Sequence, residues 1–302
     1  MAAEAQRRFG YRHSGVAIAA DFELPEWSAF RDDAALEQAD VSLSIQSSVR
    51  CTADALAEAA DDRLSFAIEG IGRWSVENGT KIRVTPDPDA AMREIRLFTL
   101  GSAWGALGYQ RGWAMLHGSA VALKGGAALF CGDTGRGKST MAAALVERGH
   151  PLLADDLSRV DPLAGDAPML HPSSERIKLW TDALGHLGLS DRELTRDHFR
   201  DDKYHLDASS GAPGTAPVPL QAVYVLDRGD DLALERLRGA QATTALFEAT
   251  AYRPQFLAPM GLLGAQAMLC ARIAGGCEVY RLTRPRDLTA LDRVCELLES
   301  SF

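Results

Sequence analysis

The residues of this chain that could carry chemistry begin with a glycine-rich run between two apolar segments. Nine consecutive residues fit the phosphate-binding P-loop pattern: Gly132, Asp133, Thr134, Gly135, Arg136, Gly137, Lys138, Ser139 and Thr140. Apolar residues 127–131 predict a buried strand before the run, and residues 141–148 predict a helix after it, ending at Gly149. In such a turn, backbone N–H groups surround phosphate oxygens, Lys138 reaches the β- and γ-phosphates, and the Ser139 hydroxyl ligates Mg²⁺. The sequence therefore predicts nucleotide binding.

Two adjacent carboxylates follow at the end of the next predicted strand. Asp155 lies 17 positions after Lys138, and Asp156 comes directly behind it. One carboxylate of such a pair can bind Mg²⁺ while the other accepts a proton from an attacking hydroxyl. A solvated turn in which Asp156 caps a helix is the alternative. The short spacing from the P-loop favours the catalytic pair.

Three further side chains are candidates for the same site. His117 lies on an apolar strand predicted over residues 115–123, directly before the P-loop strand. A histidine there is either a satisfied core residue or a group that orients a carboxylate. Arg176 and Lys178 are candidates for a phosphate clamp, with surface charges on a strand as the alternative.

The elements that must position these residues fall into two regions. Alternating apolar residues at 41–45, 64–68 and 81–85, with a hairpin signal at 77–80, predict a small, mostly antiparallel β region over residues 1–95. We expect that region to recognise the substrate or a partner. The remaining residues, 96–302, are predicted to form the P-loop domain.

Helical and strand patterns fill in the second region. A helix is predicted over residues 90–111, and later strands and helices are predicted at 222–226, 243–249, 260–274, 279–282 and 287–300. The segment 183–217 is rich in His, Asp, Gly and Pro, which predicts a mobile surface excursion with helical pieces. Its part 186–214 is the predicted lid or substrate-recognition element. The fold class is therefore α/β.

Composition narrows the classes of function. The 302 residues are 46% hydrophobic and 24% charged, as in ordinary soluble proteins. The net charge of −9 argues against a nucleic-acid partner, because neutralising phosphates needs a basic face. The longest apolar stretch, 256–273, is interrupted by polar residues and a proline, so no membrane span is predicted. Five scattered cysteines without a C-x-x-C pair indicate a reducing compartment, so the cytoplasm is the expected location.

Three blocks of sequence resemble a known family. Residues 116–121, 132–140 and 148–156 occur in the order and at the intervals of the HPr kinase/phosphorylase family, bacterial enzymes that phosphorylate a protein serine. The resemblance covers about residues 113–160. It implies a P-loop kinase core of the type shared with phosphoenolpyruvate carboxykinases, with ATP and Mg²⁺ as cofactors.

The same resemblance implies a role for each site residue. Asp155 would be the general base that takes the serine proton, with His117 beside it. Asp156 would bind the metal together with Ser139, and Lys138 would hold the phosphates.

Other parts of the chain depart from the HPr kinase pattern. The family's C-terminal signature is not recognisable after Leu226, and residues 170–180 occupy the place of its second active-site loop but read differently. The chain is more similar to the HPr-kinase-like proteins of peptide biosynthesis, including those that phosphorylate a lasso-peptide precursor on a C-terminal serine.

The sequence as a whole predicts an ATP- and Mg²⁺-dependent serine kinase that acts on a peptide or small protein, plausibly a lasso-peptide precursor. Three alternatives stay open: an HPr kinase/phosphorylase proper, a nucleotide-binding regulatory protein without transfer activity, and a small-molecule kinase. Assembly into a homo-oligomer is also open.

Overall fold

The structure is a computed structural model that describes residues 7–60, 62–162, 165, 167–197, 200–208 and 214–301. It is a mixed α/β fold. The chain divides into two compact units, of which unit 1 contains Met1–Trp113 and Arg253–Ala265. Unit 2 contains Ala114–Tyr252 and Gln266–Phe302. The helical segment predicted over residues 90–111 therefore lies in unit 1.

Unit 1 is built on a seven-stranded sheet. Its strands are β1 (Phe9–His13), β2 (Val16–Ala20), β3 (Val41–Ile45), β4 (Ala55–Ala60), β5 (Arg63–Ile68), β6 (Gly72–Glu77) and β7 (Lys81–Pro86). The spatial order is β1-β2-β3-β7-β6-β5-β4, and β2–β3 and β3–β7 are the parallel pairs. The predicted hairpin joins β6 to β7, where Asn78 and Gly79 both have positive φ, as a tight hairpin turn requires.

Helices and aromatic side chains complete the core of unit 1. Helix α1 (Met92–Phe98), a π-helical turn (Thr99–Ala103) and α2 (Trp104–Gln110) form the predicted helical segment. Two short 3₁₀ helices cover Pro25–Phe30 and Asp33–Leu36, and another covers Pro254–Phe256. Trp74 donates its indole N–H to the Thr99 hydroxyl at 2.9 Å and stacks on Phe66, with ring centroids 5.2 Å apart. The tryptophan thereby ties the helical segment to the sheet.

Unit 2 contains two further sheets. Its strands are β8 (Ala114–Leu123), β9 (Gly126–Cys131), β10 (Leu152–Ala154), β11 (Leu157–Asp161), β12 (Met169–His171), β13 (Arg176–Trp180), β14 (Leu194–Arg196), β15 (Lys203–Asp207), β16 (Val218–Arg228), β17 (Ala233–Leu237) and β18 (Glu278–Arg284). Strands β13, β15 and β14 form a small antiparallel sheet, and the others form the main sheet. Within the main sheet, β9, β16 and β18 run parallel to one another, so their carboxyl ends meet at one edge.

Helices cover both faces of the main sheet. They are α3 (Lys138–Glu147), α4 (Thr181–His186), α5 (Gly239–Thr250), α6 (Leu263–Gly276) and α7 (Leu291–Ser300), with a 3₁₀ turn at Leu288–Ala290. Every residue of β9 is buried, which explains its continuous apolar run in place of an alternating pattern. Within the described part of the chain, none of the helices is long and apolar enough to cross a membrane.

The segment 183–217 differs from the helical excursion that its composition predicts. Helix α4 ends at His186, and β14 and β15 then pair with each other and with β13. Helix α4 supplies a helical piece at the start of the segment, whereas β14 and β15 were not predicted. Leu206 is buried in the core and Leu194 and Tyr204 pack against that core, which holds both segments in strands. Of the predicted lid at 186–214, residues 198–199 and 209–213 lie outside the described residues.

Candidate active site

The glycine-rich loop joins the end of β9 to the start of α3. Lys138 is the first residue of α3, and its Nζ donates to the carbonyl oxygens of Gly132 at 2.8 Å and Asp133 at 3.2 Å. The lysine side chain therefore curls back over the loop. Burial lowers the pKa of its ammonium group.

Two arginines support the loop from the ends of parallel strands. Arg284 ends β18 and donates to the Arg136 carbonyl at 3.0 Å, and Arg228 ends β16 and donates to the Gly135 carbonyl at 2.5 Å. Gly137 has φ +86°, and a Cβ there would lie 2.1 Å from an Arg284 nitrogen. The left-handed backbone conformation favours glycine at position 137, and a larger residue there would also displace the Arg284 guanidinium.

The Asp155 carboxylate lies beside the first turn of α3, which contains Ser139. Its Oδ1 accepts hydrogen bonds from the hydroxyls of Ser139 at 2.8 Å and Ser119 at 2.6 Å, and its Oδ2 accepts from the backbone N–H of Lys178 at 2.9 Å. The side chain is 9% exposed. Three donors therefore fix this carboxylate next to the P-loop serine.

Asp156 faces a different set of groups. Its Oδ2 lies 3.1 Å from Lys178 Nζ and its Oδ1 lies 3.4 Å from His117 Nε2. The residue has φ +73°, a left-handed conformation that turns its side chain away from that of Asp155. Burial raises the pKa of Asp156, but the charge of Lys178 and the contact with His117 outweigh burial and leave the pKa well below the ordinary value. The charge of Asp156 in turn raises the pKa of Lys178.

The structure brings most of the predicted site residues together. The contacts above connect five of them into one cluster: Ser139, Asp155, Asp156, Lys178 and His117. The family resemblance implied that His117 lies beside Asp155, whereas in the structure it contacts Asp156. Arg176 is exposed on β13, and among the described residues no ion pair or hydrogen bond connects its side chain to either carboxylate.

Sequence reasoning missed several residues of the site. Tyr252 is buried, and its ring meets that of His117 edge-on, with centroids 5.8 Å apart. Ser119 bonds Asp155, and Lys203 lies on the strand opposite Trp180. Tyr252 and Lys203 are distant from the loop in sequence and belong to no motif. Alternate residues of a strand lie on the same face, so the sequence alone could have placed Lys178 and Trp180 on one face of β13.

No protein-family model matches the chain. Short stretches are similar to curated relatives. The HPr kinase/phosphorylase of Treponema pallidum is 46% identical over 52 residues, or 17% of this chain and 16% of the relative. The HPr kinase/phosphorylase of Latilactobacillus sakei is 45% identical over 62 residues, which are 18% of this chain and 19% of the relative. The HPr kinase/phosphorylase of Limosilactobacillus reuteri is 40% identical over 76 residues, which are 25% of this chain and 23% of the relative. Parts of this chain are therefore similar to HPr kinase/phosphorylases.

This similarity covers only a small part of each protein. The matched stretches span 16–23% of the length of these curated relatives. The solved structure of an HPr(Ser) kinase/phosphatase from Coxiella burnetii aligns with 62% of this chain and 95% of that chain, at 12% identity and a TM-score of 0.32. A TM-score that low does not establish a shared fold, so the similarity to HPr kinases is a similarity of short sequence stretches.

Proposed function

We propose that this chain is an ATP- and Mg²⁺-dependent kinase that phosphorylates a serine of a peptide or small protein. The observation that carries the proposal is the cluster at the start of α3, where Ser139 bonds Asp155 while the adjacent Asp156 pairs with Lys178. Similarity to proteins named HPr kinase/phosphorylase supports the same reaction class. We further propose that β9, the loop and α3 form a P-loop core of the HPr kinase and phosphoenolpyruvate carboxykinase type.

The residues of the loop fit a nucleotide with its metal. The backbone N–H groups at the start of α3 are available to phosphate oxygens, and Lys138 is held over the loop. The Ser139 hydroxyl and Asp155 carboxylate supply the hard oxygen ligands that Mg²⁺ prefers, and across the described ranges no three His, Cys, Asp or Glu side chains form a metal cluster of their own. When bound, Mg²⁺ would neutralise the charge that develops on the phosphates.

The geometry favours an exchange of the roles that the family resemblance implies for the two aspartates. Asp155 already accepts three hydrogen bonds and touches Ser139, so we assign it to the metal side of the site. The Asp156 side chain is 38% exposed even with Lys178 and His117 beside it, so an incoming hydroxyl can reach its carboxylate. Its lowered pKa keeps it ionised at neutral pH. We assign Asp156 as the general base, with Lys178 and His117 as positioning residues.

The proposed reaction is a single phosphoryl transfer. The acceptor serine oxygen forms a bond to the γ-phosphorus as the bond from that phosphorus to the β–γ bridging oxygen breaks, and ADP leaves. The serine proton passes to the Asp156 carboxylate and from there to solvent. Lys138 stabilises the charge on the transferred group, and most of the rate enhancement comes from positioning and electrostatics.

Transfer from γ-labelled ATP, with nucleotide affinity measured by calorimetry, tests these assignments. The acceptors would be HPr and a panel of serine peptides, including peptides that end in serine as a lasso-peptide precursor does. We expect Asp156→Asn to lower transfer by about 10²–10⁴-fold with unchanged affinity for Mg²⁺–ATP. Asp155→Asn should instead weaken the Mg²⁺ dependence of nucleotide binding. Asp231→Asn, at an exposed position between β16 and β17, is the matched control.

Each outcome assigns a role. If Asp156→Asn transfers phosphate at the wild-type rate, Asp156 is not the general base. If only Asp155→Asn loses transfer activity, the two aspartates have the roles that the family resemblance implies. Nucleotide binding without transfer to any acceptor would favour the regulatory alternative.

A further inference from the structure

One face of the small sheet β13-β15-β14 looks toward the carboxylates. On β13, Ile177 and Leu179 are buried in the core, so the alternate residues Lys178 and Trp180 share the opposite face. In the register of the sheet, Lys203 of β15 lies directly opposite Trp180. Lys203 is therefore the diagonal neighbour of Lys178, a relationship that separates backbone positions by about 7–8 Å.

Two cations flank the ring of Trp180. Lys203 Nζ lies 5.4 Å from the ring centroid, and the guanidinium carbon of Arg200 lies 5.3 Å from it. Lys178 is neutralised by Asp156, whereas no carboxylate of the described residues lies within ion-pair distance of Lys203 or Arg200. Two like charges on one ring, without a carboxylate of the described residues at ion-pair distance, stand out in a chain whose net charge is −9.

The position of this face relative to the loop indicates what would bind there. The backbone N–H of Lys178 donates to Asp155, which also accepts from Ser139, the residue expected to ligate the Mg²⁺ that accompanies the β- and γ-phosphates. Arg228 and Arg284 contact the loop from the ends of β16 and β18, on the other side of β9. The Trp180 face therefore lies on the γ-phosphate side, where the acceptor must approach.

From this placement, and on the basis of the proposed kinase function, we infer that Trp180, Lys203 and Arg200 form an acceptor subsite. It binds an acidic side chain near the acceptor serine, so the preferred substrate is an acidic peptide segment. The indole ring holds both cations in place, and the incoming carboxylate supplies the missing counter-charge. Burial and the neighbouring charge of Lys178 lower the pKa of Lys203 more than the charges of Asp155 and Asp156 raise it, and an anionic ligand would offset that cost.

The test compares serine peptides that differ only in the residues flanking the serine, which are Glu, Gln or Lys. The enzymes are the full chain, Lys203→Gln, Arg200→Gln and the control Arg236→Gln, which removes the same charge from β17. We expect wild type to prefer the Glu peptide and Lys203→Gln to raise its KM about tenfold, with kcat and the KM for ATP unchanged. The Gln peptide should be insensitive to the substitution, and added salt should reduce the preference. Direct binding of a fluorescent Glu peptide is measured in parallel.

The outcomes separate the subsite from the kinase assignment. Phosphorylation of all peptides without charge preference would overturn the subsite and leave the proposed function standing. A rise in the KM for ATP in Lys203→Gln would make the face part of the nucleotide site and overturn the inference. If no acceptor is phosphorylated, the proposed function fails. Charge-dependent binding that Lys203→Gln abolishes would then still support the subsite, and its absence would overturn it.

Discussion

At the scale of single residues, Asp155 and Asp156 show how neighbours in sequence acquire different chemistry. Strand β10 ends at Ala154, and the left-handed conformation of Asp156 turns the two carboxylates in different directions. Asp155 meets two serine hydroxyls and a backbone N–H, and Asp156 meets Lys178 and His117. The first environment suits a carboxylate held for a metal, and the second suits one kept ionised for proton transfer.

A prediction at this scale concerns Lys178. Lys178→Met removes the cation 3.1 Å from Asp156 but leaves the backbone hydrogen bond to Asp155 in place. Burial raises the pKa of Asp156 and the charge of Lys178 lowers it, so that pKa should rise when the cation is lost. We expect the acidic limb of kcat/KM to move to higher pH, measured from pH 8 downward with one peptide acceptor. A variant profile identical to wild type, with Arg236→Gln as the reference, would contradict the pairing.

At the scale of elements, α3 is held at both ends. Its first turn carries the site, and Arg148, directly after its last turn, binds Glu299 of α7 through two nitrogens at 2.9 and 2.7 Å. His150 Nε2 also lies 3.0 Å from Glu299. These contacts, together with the buried face of α7, fix the position of α3, whose N-terminus directly follows the glycine-rich loop. The proposed phosphate site thus depends on packing at the far end of α3.

The α3–α7 contact predicts a pH-dependent stability. Hydrogen bonds from Arg148 and His150 lower the pKa of Glu299 to about 2 from an ordinary 4.5. The stabilisation is therefore complete above the ordinary value and is lost as pH falls toward the folded value. We expect Glu299→Gln to lower the free energy of unfolding by about 1 kcal/mol at pH 7, with the difference shrinking below pH ~4.5.

Urea unfolding at pH 7 and at lower pH measures this difference. Glu296→Gln, an exposed position on the same helix, is the matched control and should change little. A destabilisation by Glu299→Gln that persists unchanged as pH falls would show that its source is something other than the ionised carboxylate.

At the scale of the whole molecule, unit 1 is assembled from two separate stretches of chain. The segment 253–265 belongs to unit 1 although it is flanked on both sides by unit 2 sequence. Phe256 and Leu257 of that segment are buried, and Phe256 stacks on Phe66 with ring centroids 5.5 Å apart. Unit 2 is therefore not a continuous piece that can be separated by a single cut.

We predict that a chain lacking residues 1–113 will self-associate. Removing the sheet of unit 1 takes away the ring that Phe256 stacks on and exposes Phe256 and Leu257 to water. Size-exclusion chromatography should show aggregates. The same truncation with 253–265 replaced by a Gly/Ser linker of equal length should elute as a smaller species. Equal behaviour of the two truncations would contradict the assignment of this segment to unit 1.

Much of the fold followed from local patterns. Alternation predicted β3, β5 and β7, and an apolar run before a glycine-rich turn predicted β9 and α3. Strands β14 and β15 were not predicted, because polar residues dominate them and a few apolar side chains, among them Leu206, hold them to the core. Pairing with β13 across the chain supplied the structure that composition did not indicate.

The sequence by itself indicated the loop, the helix that follows it and the two aspartates, because all of them lie within one stretch of 25 residues. Only the tertiary structure decided which aspartate meets Ser139 and which meets Lys178, since one left-handed residue reverses the direction of a side chain. Tyr252 meets His117 through packing between distant segments, and Lys203 lies opposite Trp180 through strand register. Such contacts leave no local pattern, because register and packing are properties of the assembled sheet.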